Sequence, residues 1–77
     1  MRQTVYVICT SEAVAARLAL RIDEGTIPGL YRSQDDCLAW WRAYPAPLKR
    51  NHLPYEVTLS ESGKIDAVKR LAAPLLN

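Results

Sequence analysis

The chain is poor in the residues that usually carry chemistry. It has one histidine, His52, and two cysteines, Cys9 and Cys37. A metal site needs several ligands, and a lone histidine with no CxxC or HxxxH company does not supply them. Nucleophilic catalysis meets the same shortage, because a nucleophile needs a base within reach and a group to orient that base. His52 sits instead in a basic, proline-flanked segment. Ser62-Gly63-Lys64 ends like a phosphate-binding loop but lacks the upstream glycine and the strand-to-helix setting. No apolar run is long enough to span a membrane. The longest early run, residues 5–9, is too short for a secretory leader and is followed at once by Ser11-Glu12. The expectation is a cytoplasmic protein that is not an enzyme and carries no metal or cofactor. In that compartment Cys9 and Cys37 are expected to be buried free thiols rather than a disulfide.

Strong charge is also missing. A formal net charge of +2 is mild beside that of dedicated nucleic-acid binders. At 77 residues the chain fits one domain, near the size where a single core just suffices. Repeats, linkers and low-complexity segments are absent.

What is present centres on residues 33–44, SQDDCLAWWRAY. Ser33 followed by Asp36 fits a helix-capping pattern, in which the serine hydroxyl accepts a first-turn N–H and the acid reaches back. Asp35 and Asp36 complement the positive end of the helix dipole. Cys37, Trp40, Trp41 and Tyr44 then recur at i, i+3, i+4 and i+7, with Leu38 beside them, which is a helical period. Pro45 and Pro47 stop the helix.

Around it, residues 4–10, TVYVICT, are β-branched and aromatic and predict a strand. Val5, Val7 and Cys9 line one face, Tyr6 and Ile8 the other. Both faces are apolar, so the strand is expected to be covered on both sides or to meet a partner on one. Thr10 or Ser11 caps a second helix whose Val14, Leu18 and Ile22 repeat at i+4 beside Ala15 and Ala19, with Gly25 as its stop. Ile27-Pro28-Gly29-Leu30 fits a type II turn, with Leu30 and Tyr31 extended after it. Residues 46–52 fit one short helical turn. Tyr55, Val57 and Leu59 alternate with Glu56, Thr58 and Ser60 as a half-buried strand. For the tail, Ile65, Val68, Leu71 and Ala72 favour a helix starting near Asp66, while residues 64–68 can instead return as a hairpin strand around Glu61-Ser62-Gly63. The fold class is α+β, a small single domain over residues 1–77. A short sheet is covered by helices, in the order β-α-α-β and then a short α or a hairpin strand.

Adjacent helical residues diverge by about 100°. Trp40 and Trp41 therefore cannot both enter the core, and one is expected to remain at least half exposed. An exposed tryptophan with arginine nearby has the composition of a binding hot spot; the competing reading is a surface ring lying flat on its own domain. The candidate partner-binding residues are Trp40, Trp41, Arg42, Tyr44, Lys49 and Arg50. Aromatic rings with flanking cations also suit single-stranded nucleic acid, but eight acids dilute the ten basic residues.

The VYVICTSEAVAARLALRIDEG opening, the tryptophan-pair helix and the single small α+β domain together resemble the host-takeover proteins of bacteriophages. The resemblance is greatest to those that bind bacterial RNA polymerase and alter initiation or termination. It implies a polymerase partner, perturbed by inhibition or antitermination, in the host cytoplasm and with no cofactor. Anti-CRISPR inhibitors of CRISPR effector complexes share the same pattern and form the alternative, beside a small nucleic-acid-binding domain.

Overall fold

The computed structural model describes residues 2–74. Strand β1 (Gln3–Cys9) leads into helix α1 (Glu12–Ala19), a 3-10 turn (Ile22–Glu24) and a two-residue strand β2 (Leu30–Tyr31). Helices α2 (Gln34–Arg42) and α3 (Ala46–Lys49) follow, and strands β3 (Leu53–Leu59) and β4 (Ile65–Arg70) close the described chain. The four strands form one antiparallel sheet in the order β2-β1-β3-β4. The α+β class is as the sequence implies.

Alternation along β1 and β3 decides which side chains meet. Val5, Val7 and Cys9 face Val57, Tyr55 and Leu53 in register, and these residues form one buried cluster with Leu59, Ala15, Ala19 and Ile22. The alanines explain the close seat of α1: both are fully buried, and a methyl side chain lets the helix backbone approach the sheet. Ser11 caps α1 by accepting the Val14 N–H at 3.2 Å. The helix stops at Ala19, so Ile22 reaches the core from the 3-10 turn rather than as the third member of the Val14–Leu18 stripe. Gly25 ends that turn with φ +97° and ψ −149°, a conformation open essentially to glycine alone.

The opposite face of β1 carries Tyr6 and Ile8. α2 packs on this side, against β1, β2 and β3. Its wholly buried Cys37 lies beside Tyr6 and Tyr31, and Ile8 and Pro54 are buried as well. β1 is thus an interior strand with helices over both of its faces.

The tail corrects the preferred sequence reading. Residues 65–70 are a hairpin strand, not a helix, and they return along β3 through a loop closed by Gly63 N–H to Ser60 carbonyl at 2.9 Å and Ser60 N–H to Lys64 carbonyl at 2.8 Å. Gly63 holds φ +81°, the left-handed position of such a loop. The misleading signal was the three-residue spacing of Ile65 and Val68. In a regular strand that spacing puts two side chains on opposite faces. A bulge at Thr58/Leu59 gives β4 an extra residue, so Ile65 faces Leu59 while Val68 faces Val57, and both pack on the same cluster. A bulged strand therefore imitates a helical repeat.

β3 also begins earlier than the alternation from Tyr55 suggests, because Pro54 sits inside it opposite Ile8. Its carbonyl accepts the Leu71 N–H at 2.8 Å. The proline nitrogen points to that same side, where the β4 ladder has already ended at Arg70, so the missing donor interrupts no ladder bond.

Candidate functional site

The central helix forms as its residues dictate. Ser33 Oγ accepts the Asp36 N–H at 3.3 Å, Asp35 and Asp36 occupy the first turn, and the helix ends at Arg42, one residue before the Ala43 cap. Cys37 fixes the inward direction. Trp41 leans toward the same buried side and packs against the core cluster, whereas Trp40 is left 59% exposed.

Each tryptophan belongs to a different arrangement. Trp41 is tied down: its Nε1–H donates to the His52 carbonyl at 2.7 Å, and the Lys49 ammonium stands 5.5 Å from the ring centroid. Lys49 Nζ also donates to the Arg42 carbonyl at 2.6 Å. That places a cation on the terminal carbonyls of α2, where helix polarity favours it. His52 completes the knot. Its backbone N–H donates to the Leu48 carbonyl at 2.8 Å, its ring Nδ1 lies 2.8 Å from Asn51 Oδ1, and its ring sits 6.2 Å from that of Tyr44. Trp41, Lys49 and His52 thus staple the segment around α3 onto α2.

Trp40 and Tyr44 instead wall an open groove of about 500 Å³ whose other side is residues 26–31. The turn that forms this second wall is pinned by backbone hydrogen bonds. Leu30 N–H donates to the Ile27 carbonyl at 3.1 Å, closing the turn around Gly29 at φ +83°. Ile8 N–H donates to the Gly29 carbonyl at 2.8 Å, and a Cβ on Gly29 would stand 3.1 Å from the Ile8 carbonyl oxygen. Glycine is therefore required here twice, by backbone angle and by closeness to β1. β2 then sets Tyr31 opposite Tyr6. Burial raises the pKa of the Tyr31 hydroxyl, with the neighbouring Tyr44 and Cys37 adding to it, so Tyr31 meets the groove as a neutral phenol.

The six residues singled out in the sequence are thereby divided. Trp40 and Tyr44 share the groove. Trp41 and Lys49 serve the staple, with Lys49 bound to the backbone of Arg42. The Arg42 side chain is exposed, but it leaves the helix about 160° away from Trp40. Arg50 is exposed on the last turn of the α3 segment and does not line the groove. Sequence reading missed the partner wall. Ile27-Pro28-Gly29-Leu30 was legible as a turn, yet nothing local said that the sheet would carry it against α2.

Burial, and then the nearby Cys9, push the Cys37 thiol from its ordinary value of 9.0 up to about 12. Cys9 is also raised by burial, against a smaller lowering from its Sγ–H bond to the Ser11 carbonyl at 3.2 Å. Both are free thiols and stay protonated at neutral pH. Among the described residues no group of three or more His, Cys, Asp or Glu is placed to hold a metal, and no helix is long and apolar enough to cross a membrane. No family model, curated protein or solved structure matches the chain.

Proposed function

We propose that this protein is a non-enzymatic regulator that works by binding another protein through the groove between Trp40, Tyr44 and the 26–31 turn. The observation that carries this reading is Trp40, 59% exposed over an apolar, aromatic hollow held on a rigid frame. A large flat side chain that spends its area on solvent costs the free protein, and such residues are the usual anchors of interfaces. Bacterial RNA polymerase is the first partner to test, because the whole-chain resemblance to phage host-takeover proteins nominates it. No cofactor enters the reading. A CRISPR effector complex is the alternative partner. Direct binding of nucleic acid is supported less, since Arg42, Lys49 and Arg50 do not gather around Trp40.

The test is binding of purified RNA polymerase, followed by the fluorescence of Trp40 in a Trp41→Phe background. A spectral shift on titration, at least a tenfold loss of affinity in Trp40→Ala, and little change in Arg50→Ala would support the groove. Polymerase binding that Trp40→Ala leaves intact would remove the groove from the interface. Failure to bind polymerase, with recovery of CRISPR effector subunits from nuclease-treated lysate, would move the proposal to the second partner.

A further inference from the structure

Hydrogen-bonding capacity in the groove is one-sided. Two carbonyls of the turn wall are already engaged: that of Ile27 accepts from Leu30 N–H, and that of Gly29 from Ile8 N–H. The aromatic donors are free. Among the described residues nothing accepts from the Trp40 indole N–H or from the Tyr31 and Tyr44 hydroxyls. Charge is one-sided as well. No charged side chain of the described residues lines the groove, but Asp36 stands one helical turn before Trp40, about 40° around α2 from it. Its carboxylate is exposed and has no ion pair among the described residues. A long side chain on a helix leans over the turn N-terminal to it, so the Trp40 ring extends toward Asp36.

Three forms of bound peptide can be compared with these walls. An added strand needs an edge to pair with, and β2 offers only two residues, with Pro28 before them lacking an N–H. A docked helix presents anchors at i, i+3 or i+4, and i+7, spread over about 10 Å. Trp40 and Tyr44 stand four residues apart, which is about 6 Å of helix rise. A polyproline II segment meets both tests. It packs on short aromatic walls, its carbonyls carry no internal hydrogen bonds, and each proline lacks the N–H that would need an acceptor. We propose, on the reading that the groove is the protein-binding surface, that it takes a proline-rich segment of the partner in the polyproline II form, with an arginine at the Asp36 end. Prolines lie between the Trp40 and Tyr44 rings and the turn, and their carbonyls accept from the indole and phenol groups. The arginine stacks against Trp40 and pairs with the Asp36 carboxylate, which a planar guanidinium does better than an ammonium.

The test is titration of the full nitrogen-15-labelled chain with synthetic peptides, followed by magnetic resonance. The probes are a run of prolines with arginine at its N-terminal end, the same run with arginine at its C-terminal end, and glycine-serine and alanine-based helical peptides of equal charge. Both arginine placements are used because a polyproline II helix can lie in either direction. One of the proline peptides should move the Trp40 indole N–H signal, assigned with Trp40→Phe, and the amides of the 26–31 turn. The Trp41 indole, bonded to His52, should stay in place. Trp40→Ala should weaken binding about tenfold or more. Asp36→Asn should weaken it about two- to fivefold, the size of an exposed ion pair, and should leave a proline peptide without arginine unaffected. A Trp40 indole that responds to neither proline peptide overturns the proposal. So does a glycine-serine or helical peptide that binds equally well, or proline binding indifferent to Trp40→Ala. Equal losses in Asp36→Asn with and without the arginine overturn its place at Asp36. Polymerase binding that Trp40→Ala abolishes, with no response to any proline peptide, ends the proline assignment and keeps the groove. Proline binding at Trp40, with polymerase binding intact in Trp40→Ala, keeps the proline assignment and ends the polymerase one.

Discussion

The two sides of the sheet are covered by helices of similar length and different character. α1 lies on alanines: Ala15 and Ala19 are fully buried, and Val14 and Leu18 pack partly against the same cluster. α2 buries Cys37, packs Trp41 against the core cluster and leaves Trp40 in solvent. One side is closed by small residues at close range. The other leaves a groove between helix and turn, walled by Trp40 and Tyr44. The difference shows how a chain of this size separates cohesion from recognition: the first is concentrated under α1, and the second is displayed beside α2.

The sharpest way to break this comparison is to charge the α1 side. Ala19→Asp would bury an uncompensated carboxylate and is expected to lower unfolding free energy by about 3–5 kcal/mol in urea titration. On the α2 side the neighbouring tryptophans should behave unlike each other. Trp41→Ala removes half-buried packing and the bond to His52, and should cost about 2–3 kcal/mol. Trp40→Ala should stay within about 0.5 kcal/mol of wild type while weakening partner binding. Equal losses at the two positions would mean that the groove is part of the core.

A gentler probe is alkaline pH. The folded state holds the Cys37 proton up to about pH 12, whereas an unfolded thiol releases it near 9. Above pH 9 the unfolded chain therefore binds fewer protons, and stability falls as pH rises, by about 1 kcal/mol per pH unit until the folded thiol titrates. The contribution is fully present below pH 9. Chemical unfolding at pH 8 and pH 10.5, with Cys37→Ala as reference, should show a smaller pH loss in the variant.

Much of this architecture is legible in the sequence. The first strand, both major helices, the Ser33 cap and the Gly29 turn follow from local pattern, because each is set by residues within a few positions; of the two caps open to the first helix, Thr10 and Ser11, it uses Ser11. What was hidden depended on distant pairing. Leu30 and Tyr31 were legible as extended, but their place in the sheet depends on Val7 and Tyr6 beside them. β4 was disguised by its bulge, and the start of β3 by a proline whose tolerance depends on where the neighbouring strand ends. At the site, the angle between successive helical residues foretold that the tryptophans must part. Which one would face solvent depended on the side from which the sheet approaches. The same angle separates Arg42 from Trp40, a consequence that grouping by sequence proximity overlooked.

The strand order has a consequence for how the molecule is born. β1 leaves the ribosome first, but it is central in the sheet, and its long partner β3 is made only after both helices and the turn between them. Until then Val5, Val7 and Ile8 lack their long strand partner, and only the helices and the short β2 can shield them. Such late, long-range closure slows folding relative to a chain held by local contacts alone, and it leaves the nascent first strand exposed to wrong pairing until β3 arrives.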